Sequence, residues 1–126
     1  MKEQKFYRCE HCGNMVSMMH ESGAKIVCCG EEMKLLEPNT RDGAYEKHIP
    51  EVEVKGDLVK VQIGSVIHPM TEAHYIEWVY LLTEKGGQVH YFQPGEEPKC
   101  SFKLVDDKAI TVYEYCNLHG LYKKDL

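Results

Sequence analysis

The chain has no long apolar run. The longest, Trp78 to Leu82, is far too short to cross a bilayer, which excludes a membrane-spanning helix. It also lacks an excess of positive charge: 15 Lys and Arg face 20 Asp and Glu, for a net charge of −5 and a pI near 5.8. That balance argues against nucleic acid or an anionic membrane as a main partner. The opening segment, Met1-Lys2-Glu3-Gln4-Lys5-Phe6, has no apolar core of a signal peptide, so the expected location is the cytoplasm. No internal repeat, low-complexity tract or long 3.6-residue period is present, which leaves little room for a helical architecture.

What the chain does have is cysteine and histidine, 6 and 7 of them in 126 residues. Apolar content is 43% and charged content 28%, as in a folded domain. Cytoplasmic thiols stay reduced, and the vicinal pair Cys28-Cys29 suits metal thiolates better than three disulfides. Four of the cysteines fall within residues 1–37, a segment too short to bury enough apolar surface without a staple such as a metal. Pro38-Asn39-Thr40-Arg41-Asp42-Gly43 is rich in turn formers and marks a linker, taken as 38–47, ahead of a second domain, 48–126.

The second domain reads as β. Val59, Val61 and Ile63 alternate with Lys60 and Gln62, and Glu51 to Lys55 alternates likewise, with Gly56-Asp57 as the turn between them. Further strands are expected at Ile76 to Leu82, Gln88 to Phe92, Phe102 to Val105 and Ile110 to Tyr115. Short strands at even spacing predict a β-sandwich, and an all-β fold for the whole chain.

Two clusters carry chemistry. Cys9-x2-Cys12 puts two thiolates on one knuckle, and Cys28-Cys29 supplies two more, enough for a tetrahedral site for zinc or iron. The second cluster is Cys116-x2-His119, read with His48, His68 and His74. One thiolate and four imidazoles exceed the four ligands of a structural zinc site and point to a transition metal with a position open for chemistry. Two sites of different character in one short chain suggest redox work. His11 and His20 are expected to be solvated, His90 structural, Trp78 a core or site-wall residue, and Cys100 a free thiol.

The vicinal pair departs from the zinc ribbon and resembles desulforedoxin, a small mononuclear iron protein. The segments Glu46-Lys47-His48-Ile49-Pro50, Gly64-Ser65-Val66-Ile67-His68-Pro69-Met70, Glu72-Ala73-His74-Tyr75-Ile76-Glu77-Trp78 and Glu114-Tyr115-Cys116-Asn117-Leu118-His119-Gly120 resemble the motifs of superoxide reductase. With the cysteine cluster, the whole chain resembles the desulfoferrodoxin family, the two-iron form of that enzyme. The resemblance implies a desulforedoxin-like first domain, with one iron on Cys9, Cys12, Cys28 and Cys29, and an immunoglobulin-like sandwich. It implies a second iron with His48, His68, His74 and His119 in one plane and Cys116 as axial thiolate. It further implies that Lys47 stands beside the substrate, that Glu46 takes the open position in the ferric state, that a rubredoxin-type carrier donates electrons, and that the chain is a homodimer. An electron carrier working through the four-cysteine iron, a zinc-binding interaction module and a superoxide dismutase are the competing readings.

Overall fold

The computed structural model describes residues 3–40 and 45–126. The chain divides into two compact units, Met1–Glu37 and Pro38–Leu126. Part of the expected linker, 41–44, lies outside the described residues. The rest of it is built into the second unit: Asn39 exchanges hydrogen bonds with the Lys123 backbone, and Tyr45–His48 winds into one helical turn, α1.

The first unit holds five short strands: β1 (Phe6–Arg8), β2 (Met15–Ser17), β3 (Val27–Cys28), β4 (Glu31–Glu32) and β5 (Lys34–Leu35). β1 pairs antiparallel with β2 on one side and β5 on the other, while β3 and β4 form a separate hairpin. Among its described residues the buried apolar side chains are few, namely Phe6, Cys9 and Met33. So small a core cannot offset the entropy of ordering the segment, and the cysteine cluster must supply the remainder.

The second unit is a two-sheet sandwich. One sheet has the order β10 (Lys99–Lys103), β7 (Leu58–Ile63), β6 (Pro50–Lys55). The other has the order β12 (Gly120–Asp125), β11 (Ala109–Cys116), β8 (Ile76–Thr83), β9 (Gly87–Tyr91). Three strands over four, all antiparallel, is an immunoglobulin-like arrangement. Val59, Val61 and Ile63 from one sheet meet Ile76, Val79, Leu81, Val112 and Cys116 from the other, with Phe102 closing the layer.

The strand expected at Phe102 to Val105 runs instead over Lys99–Lys103, with Cys100 and Phe102 turned inward and Val105 left 80% exposed. Cys100 serves there as a small apolar residue, which completes the alternation. β12 has no counterpart in the strand pattern of the sequence. Its Leu121 and Tyr122 are both buried although they point to opposite faces, so no period of two is visible.

The sheets bring one end of the sandwich together. Pro50 at the start of β6 pairs with Ile63 at the end of β7, and Ile76 at the start of β8 pairs with Cys116 at the end of β11. Cys116 also pairs with Gly120 at the start of β12. Helical turn α1, the segment 64–75 and the β11–β12 turn therefore share one end.

Candidate metal centres

In the first unit, Cys28 ends β3 and Glu31 opens β4, so Cys29-Gly30 is a two-residue hairpin loop. Both loop residues have positive φ, 54° at Cys29 and 77° at Gly30, the signature of a type I′ turn. Successive side chains on an extended strand point to opposite faces. The left-handed turn at Cys29 lets its sulfur stay on the same side as that of Cys28. Opposite them, Gly13 donates to the Cys9 carbonyl at 3.0 Å and Cys9 donates to Asn14 at 2.8 Å, closing the Cys9-x2-Cys12 knuckle.

The four sulfurs all lie within 4.8 Å of one another. The Cys12–Cys28 distance is 3.6 Å and the Cys28–Cys29 distance is 4.0 Å. A tetrahedron with metal–sulfur bonds of about 2.3 Å has edges of about 3.8 Å, so the cage has the size of a four-thiolate site. The Cys12 backbone N–H points at the Cys9 sulfur at 3.5 Å, and the Asn14 amide donates to the Cys28 sulfur at 3.7 Å. The Cys12 N–H is the main reason the Cys9 thiol is pulled down to about 6. The neighbouring sulfurs, Cys12 foremost, push the Cys29 thiol up to about 12, because several thiolates so close repel unless a cation sits among them. All six cysteines are free, with no disulfide.

In the second unit, the five residues expected as ligands converge at the shared end of the sandwich. His48 ends α1, His68 and His74 come from the segment before β8, Cys116 ends β11, and His119 lies in the turn before β12. Around the ring His48, His68, His74, His119, the successive imidazole centroids are 4.7, 4.6, 5.1 and 4.9 Å apart, and each ring is nearly perpendicular to the next. The His48–His74 diagonal is 6.4 Å. The four imidazoles thus close into a ring. The Cys116 sulfur lies within 4.8 Å of the ligating atoms of His48, His68 and His74 and 3.9 Å from Nδ1 of His119.

The donors fit a metal. His48 Nε2 lies 3.1 Å from both His68 Nε2 and His119 Nδ1, close to the separation of about 3.0 Å for neighbouring nitrogens on an ion with bonds of about 2.1 Å. His68 Nδ1 donates to the Pro69 carbonyl at 2.6 Å, so its Nε2 offers a lone pair inward. A single proton on His48 cannot bridge both contacts. His74 Nε2 is buried and has no hydrogen-bond partner. Burial pushes His68 down to about 4, and burial, with smaller pushes from His119 and the Lys47 ammonium, lowers His74. Neutral imidazoles are the form a metal requires. Burial raises the Cys116 thiol, opposed by the backbone N–H groups of Leu118 and His119, which point at the sulfur.

Glu46 and Lys47 are exposed on α1 beside the buried His48. His90 packs against Phe92 at 4.6 Å, and Trp78 stacks on Tyr115 at 5.8 Å. His11 makes an exposed ion pair with Glu31 at 3.0 Å.

Three positioning residues escaped the sequence reading. Asn117 accepts from the Tyr75 N–H at 2.9 Å and donates to the Ala73 carbonyl at 3.0 Å, tying the His74 segment to the Cys116–His119 turn. Gly64, at φ 83°, lies against the carbonyls of Glu46, Lys47 and Val66 with no room for a Cβ. Tyr122 stacks on His48 with centroids 4.5 Å apart and planes 22° apart. Asn117 and Gly64 sit inside the quoted motifs and were open to discovery there; Tyr122 carries no local signal.

Residues 40–125 match the family model described as Desulfoferrodoxin, and residues 1–36 match that described as Desulfoferrodoxin, N-terminal domain. The chain is 44% identical over 123 residues to a desulfoferrodoxin of Nitratidesulfovibrio vulgaris, covering 98% of this chain and 97% of that one. It is 45% identical to a desulfoferrodoxin homolog of Archaeoglobus fulgidus, covering 93% of each chain. Among solved structures, the superoxide reductase from Treponema pallidum superposes with a TM-score of 0.83 at 40% identity, covering 98% of this chain and 100% of that one.

Proposed function

The chain belongs to the desulfoferrodoxin family, and from that membership we propose that it is a superoxide reductase, reducing superoxide by one electron to hydrogen peroxide at the centre of four histidines and one cysteine. It is an oxidoreductase with two mononuclear iron ions per chain, one for each donor cluster. The observation that carries the reading is the ring of four imidazoles backed by one buried thiol at the end of the sandwich.

Cys9, Cys12, Cys28 and Cys29 are the ligands of the first iron; His48, His68, His74, His119 and Cys116 are those of the second. Iron held by the second set would supply the electron that reduces a small anion. The chain does the rest. Burial keeps His68 and His74 neutral and ready to coordinate, and the Pro69 carbonyl fixes the tautomer of His68. The Leu118 and His119 N–H groups steady negative charge on the Cys116 sulfur, while the core closes its far side. Lys47 offsets a net charge of −5 that repels superoxide, and focuses the anion on the site. Glu46, next to it on the exposed turn, would be the carboxylate available to the iron held there after product has left.

The reaction consumes one electron per superoxide, which calls for an external donor. A rubredoxin-type carrier, a cytoplasmic location and a homodimer complete the proposal. It draws support from the family resemblance, the acidic balance and the lack of any helix among the described residues long and apolar enough to cross a membrane.

Rapid mixing of the reduced, iron-loaded chain with superoxide is the test. One peroxide formed and one electron consumed per superoxide is the expected result. Dioxygen evolving without a reductant would make the protein a dismutase instead. Cys116→Ser is expected to keep the four imidazoles and lose most of the turnover; unchanged turnover would remove the thiolate from the mechanism.

A further inference from the structure

The ligands of the second centre are not held alike. His48 stacks on Tyr122, His68 is fixed by the Pro69 carbonyl, and Cys116 and His119 share the tight turn between β11 and β12. His74 is half-buried, where His48 and His68 are 2% and 1% exposed, and it lies on the segment between β7 and β8. Within that segment a local turn holds it: Thr71 and His74 exchange backbone hydrogen bonds at 2.9 and 3.1 Å. What ties His74 to the other ligands is Asn117. The Asn117 Oδ1 accepts from the Tyr75 N–H at 2.9 Å, and its Nδ2 donates to the Ala73 carbonyl at 3.0 Å. These belong to the two peptide groups that flank His74, one on each side. The Asn117 backbone N–H adds a third bond, to the Tyr75 carbonyl at 3.2 Å. A carboxamide offers an acceptor and a donor side by side on one short group. Its orientation is forced, because a flipped amide would set its NH2 against the Tyr75 N–H. Asn117 stands between Cys116 and His119 in the chain, so one side chain fixes His74 relative to both.

We propose that Asn117 determines which metal the second centre takes, by holding His74 in place as the fifth donor. The proposal rests on the five-ligand reading of that centre, not on its substrate. For a given set of nitrogen and sulfur donors zinc(II) binds more tightly than iron(II), so a preference for iron has to come from geometry. Zinc favours four ligands in a tetrahedron. Without His74 the set is His48, His68, His119 and Cys116, the number of donors that zinc takes. With His74 held in the ring, four imidazoles and a thiol face one position, and a tetrahedral ion cannot use them all. Asn117 is thus a positioning residue that acts through His74, and its loss opens the centre to zinc.

The test takes the full chain, loaded with iron at both centres, and dialyses it against rising zinc without oxygen. Mössbauer spectroscopy reads the iron that remains at each centre, and metal analysis reads the zinc taken up. Asn117→Ala is expected to surrender the iron of the second centre at zinc concentrations about 10–100-fold lower than the parent does, the range over which partners of metal ligands change affinity. The four-cysteine centre should respond as in the parent. His74→Ala should match Asn117→Ala, and the double variant should add little, because both changes remove the same donor. Thr71→Ala is the control. The Thr71 hydroxyl accepts from the His74 N–H at 3.1 Å, so this variant loosens the His74 turn and leaves the tie to Asn117 intact. It should keep the parent's selectivity. Thermal unfolding followed by circular dichroism shows whether each sandwich is folded under the assay conditions. If Asn117→Ala is not, Asn117→Asp carries the test: it keeps the acceptor for the Tyr75 N–H, loses the donor to the Ala73 carbonyl, and should shift the exchange several-fold. A folded Asn117 variant with the parent's selectivity overturns the proposal, as does a Thr71→Ala shift as large as that of Asn117→Ala. If His74→Ala also exchanges like the parent, the five-ligand reading itself falls; if His74→Ala shifts and Asn117→Ala does not, the role of Asn117 alone falls. Superoxide reduction is measured separately on the parent. A parent that keeps its iron against zinc but leaves superoxide unreduced loses the functional reading and retains the role of Asn117.

Discussion

Cys100 is the free thiol that its sequence spacing predicts. Its spacing matches neither metal cluster, and the structure places it on β10, packed against the core with Val52 and Ala109. Burial pushes its thiol up to about 12 from 9.0. The folded state therefore holds the proton where the unfolded chain releases it. This contribution to stability is fully present below pH 9 and is lost as the pH rises from 9 to 12. The stability difference between the parent chain and Cys100→Ala, followed by denaturant unfolding, should shrink across that range, and neither metal should be lost. A constant difference would show that the thiol is not desolvated. At this scale the sequence was most legible where donors stand close together, as in Cys9-x2-Cys12 and Cys116-x2-His119. His48 stands 20 residues before His68, His68 and His74 do not share a helical spacing, and only the motifs around them linked them to the site. Tyr122 was illegible because a tyrosine followed by two lysines has no pattern that announces a stacked imidazole.

Among the elements, the period-2 run at Val59 to Ile63 was legible because Val59, Val61 and Ile63 are buried between wetter neighbours, whereas at Glu51 to Lys55 the alternation marks an outer strand with Val52 half-buried and Val54 49% exposed. β12 was hidden because it is covered on both faces at one end and solvated at the other. The helical turn that carries Glu46, Lys47 and His48 was read as linker up to Lys47, with His48 opening the second domain; its four residues are too few for any period, and tertiary contacts hold it. Val66 N–H and the Ser65 hydroxyl both donate to the Glu46 carbonyl, at 2.9 and 3.2 Å, docking the turn on the segment that leads to His68. Gly64 permits that docking. A Cβ there would stand 2.4 Å from the Val66 oxygen, 2.7 Å from that of Lys47 and 2.8 Å from that of Glu46, all backbone atoms that cannot rotate away. Gly64→Ala should therefore cost about 1–3 kcal/mol from overpacking, with added strain from the positive φ. Its sharper effect should fall on the second centre, since His48 and His68 flank the contact. We expect weaker iron retention against a chelator at that centre and an unchanged four-cysteine spectrum. Equal loss from both centres would point to global unfolding instead.

Across the whole molecule, charge and the division into two units each make a prediction. A chain of net charge −5 slows the approach of an anion, and the slowing is relieved by salt. If Lys47 focuses superoxide locally, Lys47→Ala should lower the second-order rate at low salt several-fold while the iron stays bound, and the gap should close as ionic strength rises. A rate at low salt equal to the parent's would return Lys47 to the status of an ordinary surface lysine. The two units differ in what holds them. Pro38–Leu126 has a two-sheet core with many fully buried side chains, whereas Met1–Glu37 buries little beyond Phe6, Met33 and Cys9. Segments below about 40 residues rarely fold without a metal or disulfide, and this one has no disulfide. Its metal-binding free energy is thus its folding free energy. Cys12 is exposed, so Cys12→Ser removes a ligand without opening a cavity in the small core. The variant should lose its four-cysteine absorption, residues 1–37 should become protease-sensitive, and the sandwich with its histidine centre should survive. Superoxide kinetics on that variant then separate two roles that chemistry alone leaves equal. A full rate with an external reductant makes the first iron a staple; a histidine centre that still binds iron but is no longer re-reduced makes it a relay.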